Sequence, residues 1–155
     1  MTLVDLNVVL YAVNSAAARH VEARTWWESA ISGDEPVGLA WSVVTGFLRL
    51  STRASVLPRP LTVEQACHRV NRWFAQPTIR LVRETEEHWR HLERLLSETG
   101  TAGNLTTDAH LAALAISHGA TLVSFDNDFA RFQNLRWTNP GRQRPPSDRQ
   151  GRRRE

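Results

Sequence analysis

The chain has 155 residues, 41% of them hydrophobic and six of them tryptophan, enough for one domain with a real core and too apolar for a disordered chain. Its net charge of +3 is local: residues 141–155 hold six arginines against two acids, while the first 140 carry 13 arginines and 14 acids. No lysine is present, which excludes Schiff-base chemistry and a phosphate-binding lysine, and the single cysteine, Cys67, excludes an internal disulfide. No apolar run approaches the ~20 residues of a membrane span. The start "MTLVDLN" lacks a basic region and a signal core, so a soluble protein of a reducing cytoplasm is expected.

In chain order, "TLVD" (2–5) reads as a strand feeding the short helix "LNVVLYAVN". "AAARHVEARTWWESAI" has helical spacing, with Asn14 and Ser15 as cap candidates. "PVGLA" is a second strand and "WSVVTGFLRLST" a helix, which "LPRPL" breaks off. Thr62 and Gln65 form a capping-box pattern that opens a helix running to about Ala75, and "TIRLV" after Pro77 is a third strand. "EEHWRHLERLLSE" is a helix closed by Gly100 and Gly103. "TTDAHLAALAISHG" is the clearest helix, with Thr106 or Thr107 as cap, Asp108 in its first turn and Gly119 as its stop. "ATLVSF" is a fourth strand, and "LRWTN" a short last one.

Strands alternating with helices predict a three-layer α/β/α sandwich around a mostly parallel sheet of four or five strands. Residues 1–140 form the domain. The tail, 141–155, is almost free of apolar residues and is expected to be disordered.

In such a sheet, ligands bind at the carboxyl ends of the strands, where strand order reverses. Asp5 ends the first strand, Asp126 follows "TLVSF", and Asp128 lies two residues on. Asp108 opens the helix leading into that strand. If the first strand and "TLVSF" are neighbours, Asp5, Asp108 and Asp126, with Asp128 beside them, share one pocket. Carboxylates so close cannot all stay ionised without a cation. Mg²⁺ or Mn²⁺ suits such oxygen donors and supports phosphodiester hydrolysis. Taken singly, each acid also has a plainer explanation: Asp5 as a helix cap, Asp108 as a partner of the helix dipole, "DND" as a turn. Those readings leave unexplained why all the acids fall on one edge.

At "LVDLNVVLYA" (3–12), "WSVVTGFLRLST" (41–52) and "GNLTTDAHLAALAISHGATLVSFDNDFARF" (103–132) the chain resembles PIN-domain ribonucleases, in particular VapC-type toxins of bacterial toxin–antitoxin pairs, over nearly all of residues 1–138. The resemblance implies a parallel sheet with the first strand beside the fourth. It also implies a Mg²⁺-dependent endoribonuclease, with Mn²⁺ as a substitute metal, neutralised by a VapB-type antitoxin and expected as a homodimer. Position by position, it matches Asp5, Asp108 and Asp126 to the acidic metal ligands and catalytic groups, and Asp128 to an additional acid. It matches Asn7 and Ser124 to polar positions that orient ligands and water. The family's glutamate in the helix after the second strand is absent, since Thr45 or Gly46 stands there. That puts a second metal in doubt and keeps a competing reading open, a catalytically weak PIN module acting by RNA or protein binding. Receiver domains and haloacid-dehalogenase-type phosphatases are other acid-lined α/β folds, but both use a lysine this chain lacks.

Other signals are read plainly. The six histidines show no zinc spacing; His88 and His91 are taken as a solvated helix face, and His20, His68, His110 and His118 as polar surface or caps. Trp26, Trp27, Trp73 and Trp89 are taken as core or dimer contacts, and Cys67 as a buried small residue. Arg49 and Arg53 are candidate contacts to RNA phosphate, and the arginine-rich tail either binds RNA nonspecifically or is a solubilising extension.

Overall fold

The computed structural model describes residues 1–142, so the expectation of a disordered tail falls almost wholly outside the described residues. The chain runs β1 (Thr2–Val4), α1 (Leu6–Val13), α2 (His20–Ser32), β2 (Val37–Ala40), α3 (Trp41–Ser51), α4 (Val63–Phe74), β3 (Ile79–Val82), α5 (His88–Thr99), α6 (Leu105–Ser117), β4 (Thr121–Val123) and β5 (Arg136–Thr138). Two 3₁₀ turns, Asn127–Arg131 and Pro140–Arg142, flank β5.

The five strands form one sheet in the order β3-β2-β1-β4-β5, and every neighbouring pair is parallel. From β1 the chain moves outward to β2 and β3, then returns across the sheet to β4. Right-handed crossovers taken in opposite directions place α1–α4 on one face and α5–α6 on the other. The helix contacts agree, since α1 packs on α2 and α3, and α5 on α6. Strands covered on both faces should be apolar throughout. Leu3, Val4 and all four residues of β2 are indeed buried. The three-layer sandwich expected from the sequence is the fold observed.

Local chemistry explains most element boundaries. Thr62 Oγ1 accepts from the Gln65 amide at 3.2 Å while Gln65 Oε1 accepts from the Thr62 amide at 2.9 Å, completing the capping box of α4. The alanines of α6 let it lie flat on the sheet, with Leu111 to Ala115 all buried, and Gly119 stops it at φ +57°. Two expected caps are displaced. α2 starts at His20 without a side-chain cap, and Asn14 instead ends α1, its Oδ1 accepting from the Ala16 amide. α6 starts one or two residues before the expected threonine caps, so Thr106 and Thr107 sit in its first turn.

Two plain readings also change. Cys67 is exposed, because the inward face of α4 is formed by Ala66, Val70 and Trp73. His88 is buried, not solvated: its Nε2 lies 3.0 Å from His110 Nδ1 across the α5–α6 contact, and Glu84 stands 3.6 Å from His110 Nε2. Burial, with His110 beside it, holds the His88 imidazole below its usual range. Among the tryptophans, Trp27 and Trp73 are core, joined edge to face at 5.5 Å, whereas Trp89 is exposed.

Thr62→Ala removes one half of the capping box at an exposed site. It should cost about 1 kcal/mol of stability, seen in urea unfolding as a lower midpoint with an unchanged slope.

Candidate metal centre

Parallel pairing of β1 with β4 sets Thr2, Leu3 and Val4 level with Thr121, Leu122 and Val123. The next residues, Asp5 and Ser124, are therefore neighbours at the carboxyl edge. Strand order reverses at this seam, because the chain leaves β1 toward β2 and leaves β4 toward β5.

Ser124 is fully buried and joins the two strand ends. Its hydroxyl donates to Asp5 Oδ2 at 2.6 Å and accepts from Asn7 Nδ2 and from the Asp126 amide, both at 2.9 Å. Asn7 Oδ1 in turn accepts from the Phe125 amide at 3.2 Å. β5 braces the same point, as the Ser124 amide donates to the Thr138 carbonyl and the Trp137 indole N–H donates to the Ser124 carbonyl. Asp5 Oδ1 also accepts from the Leu6 amide at 2.6 Å, so the carboxylate caps α1 as its plainer explanation has it. A carboxylate has about four lone-pair sites. Two are occupied here, which leaves each oxygen of Asp5 one free acceptor position.

Asp126 caps the 3₁₀ turn, its Oδ1 accepting from the Asp128 amide at 2.8 Å. Asp128 is exposed and paired with Arg131 at 2.9 Å. Asp108 sits in the first turn of α6, half-buried. The acids feel one another. Burial, opposed by the bonds from Ser124 and Leu6 and reinforced by the charges of Asp108 and Asp126, raises the Asp5 pKa from 3.8 to about 6. Asp108 is raised as well, first by burial and then by Asp126 and Asp128, against a lowering from Arg131. Among the described residues, no three acidic, histidine or cysteine side chains already stand as a formed metal-binding group. What the fold supplies is a shared negative field with free lone pairs, the donor chemistry a hard divalent cation requires.

α3 adds no acid to this edge. Thr45 is exposed and its hydroxyl donates to the Trp41 carbonyl at 2.8 Å. Gly46 is buried, and a Cβ there would lie 2.7 Å from Leu6 Cδ2. A side chain at 46 would displace the end of the Leu6 side chain where α3 packs against α1. Arg49 and Arg53 are exposed on and just after α3. The supports from Trp137 and from Asn139, whose Nδ2 donates to the Phe125 carbonyl, are not foreseen from the sequence. They reach the site by strand pairing, which leaves no local sequence signal.

The PIN domain family model matches residues 2–135. The chain is 46% identical over 140 residues to Ribonuclease VapC37 of Mycobacterium tuberculosis, covering 90% of this chain and 97% of that one. It is 40% identical to Ribonuclease VapC33 of the same organism, covering 92% and 100%. Among solved structures it superposes on M. tuberculosis VapC20, a toxin cleaving the sarcin–ricin loop, with a TM-score of 0.65 at 19% identity, covering 88% and 99%. VapBC2 from Rickettsia felis bound to a promoter DNA fragment gives 0.64 at 18% identity, covering 89% and 97%. The chain belongs to the PIN-domain family. Within it, the relatives named here are VapC ribonucleases.

Ionising Asp5 works against the fold when no cation is present. Its pKa is raised, so its contribution to stability is intact below about pH 4 and is lost as pH rises through about 6. In EDTA at pH 8, Asp5→Asn should therefore be more stable than the wild type by about 1 to 3 kcal/mol, a difference that shrinks toward zero near pH 4. Thermal unfolding of both proteins across that pH range measures it.

Proposed function

We propose that this chain is a Mg²⁺-dependent endoribonuclease, the toxin of a toxin–antitoxin pair, acting in the bacterial cytoplasm and neutralised by a VapB-type antitoxin. The observation carrying this reading is the placement of Asp5, Asp108 and Asp126 in one field at the β1–β4 seam of a PIN-domain chain. Similarity to VapC ribonucleases supports RNA as the substrate. Solved neighbours that are VapBC complexes support the antitoxin, and we take the homodimer from the family resemblance. No helix among the described residues is long and apolar enough to cross a membrane.

In this reading Asp5, Asp108 and Asp126 hold the cation, with Asp128 at the rim, where Arg131 already engages it. The bound ion supplies water activation and offsets charge on the phosphorane-like transition state. The protein's own work is orientation. Ser124 fixes Asp5 through Oδ2, Asn7 fixes Ser124, and the Asp126 amide shares the same hydroxyl, which ties the two strand ends together. Mn²⁺ meets the same oxygen donors and should substitute.

Purified protein should cut RNA in Mg²⁺, stop with EDTA and recover on adding the metal back. Asp5→Asn and Asp108→Asn should each lower kcat by about a hundredfold or more, the scale of losing one transition-state stabiliser. RNA left intact at every Mg²⁺ and Mn²⁺ concentration would sink the reading. The absence of any acid on α3 favours the second reading, a weak catalyst acting by binding. It predicts that Asp5→Asn leaves toxicity in cells unchanged.

Ser124→Ala should weaken metal binding about 10- to 100-fold, read as a higher half-saturating Mg²⁺ concentration. Protons compete with the metal for Asp5, so that concentration should also rise as pH falls from 8 through about 6.

A further inference from the structure

The described residues balance at 14 arginines and 14 acids, yet the stretch between Glu35 and Glu64 contains three arginines and no acid. That stretch includes all of α3 and the loop after it. Elsewhere on the surface Arg19, Arg24, Arg90, Arg94 and Arg131 are each held by an acid, while Arg69, Arg72 and Arg83 are not. Arg49 and Arg53 are exposed, and among the described residues neither has an ion-pair partner or donates a side-chain hydrogen bond. At the head of the same helix face stands Trp41, 51% exposed, its ring tilted against that of Phe74 at 6.3 Å.

These groups form a line. Trp41, Thr45 and Arg49 recur every four residues and so stack along one face of α3, with Arg53 in the turn beyond. The β1–β2 register sets Ala40 level with Asp5, so Trp41 begins at the edge that carries the acids. At 1.5 Å per residue, Arg49 lies about 12 Å farther along, a few nucleotides of single strand. An aromatic platform followed by unopposed cations is the arrangement that binds single-stranded nucleic acid.

We propose that the outer face of α3 holds the single-stranded RNA as it leaves the catalytic edge, with Trp41 stacking an unpaired base and Arg49 and Arg53 gripping phosphates. This rests on the ribonuclease reading and names how that site takes its substrate. It also gives the acid-free α3 a use, since a carboxylate on this face would repel the backbone.

The test titrates full-length wild type, Arg49→Ala/Arg53→Ala and Trp41→Ala into a short fluorescein-labelled single-stranded RNA, in EDTA, over a salt series. The double variant should lower the slope of log affinity against log salt by about 1.4, at roughly 0.7 for each phosphate that is no longer neutralised. The tail is common to all proteins and cancels from that difference. Arg49→Lys/Arg53→Lys should keep the slope. Trp41→Ala should weaken binding about tenfold with the slope unchanged, and Trp41→Phe should restore it. An unchanged slope in the double alanine variant overturns the proposal. So does light scattering in which the same substitutions split a dimer while RNA affinity holds, which would give the face to a second copy. If wild type cleaves RNA and the slope does not move, this inference fails alone. If the slope moves but no cleavage occurs in Mg²⁺, the ribonuclease reading fails and the binding face stands.

Discussion

Everything at the carboxyl edge depends on β1 lying beside β4 in parallel register. The two strands are remote in sequence, and the return crossover through α5 and α6 is what brings β4 past β2 to the far side of β1. Once Val4 faces Val123, Asp5 and Ser124 must meet, and the buried serine hydroxyl locks the meeting by serving three partners at once. A hydroxyl with one donor hydrogen and two lone pairs is then used to capacity. That saturation makes the joint directional, so Asp5 and the Asp126 backbone are held at defined places.

The same joint sets two demands against each other. Asp5 is held by two donors, each of which favours its ionised form, yet burial and its acidic neighbours win and raise its pKa. Asp108 shows the same balance, with Arg131 too weak a counterweight. On the ribonuclease reading, function concentrates like charge where the fold would be more stable without it, a conflict that a bound cation would relieve. The surrounding core offsets the cost, with strands buried on both faces and a flat, alanine-rich α6 beneath the acids.

α3 divides its two faces by the helical repeat. Val43, Val44, Gly46 and Phe47 turn inward, Gly46 against Leu6 of α1, and the helical repeat leaves Thr45 and Arg49 outward. With its inner face committed to packing, the helix can contribute to the site only through its head and its outer side. In the proposed arrangement Trp41 would serve from the first and the arginines from the second.

Much of this is legible in the chain. Alternating strand and helix patterns, the Thr62–Gln65 box and the apolar run before Asp126 are local signals, because they reflect backbone propensity and burial within a few residues. They yield the sandwich, its strands and the three aspartates as candidates. Boundaries set by contacts are less legible: α2 starts where the chain meets the carbonyl of Tyr11 through His20, not at a polar cap. The histidine pair of α5 and α6 escapes a sequence reading because each ring looks exposed on its own helix, and only packing one helix on the other buries His88 against His110. The sequence by itself determined which residues could bind a cation and on which strands they end. Tertiary structure alone decided that they share one field, that Ser124 joins Asp5 to the Asp126 backbone and that the α3 arginines stand without acid partners, since each of these depends on distances between segments that lie far apart along the chain.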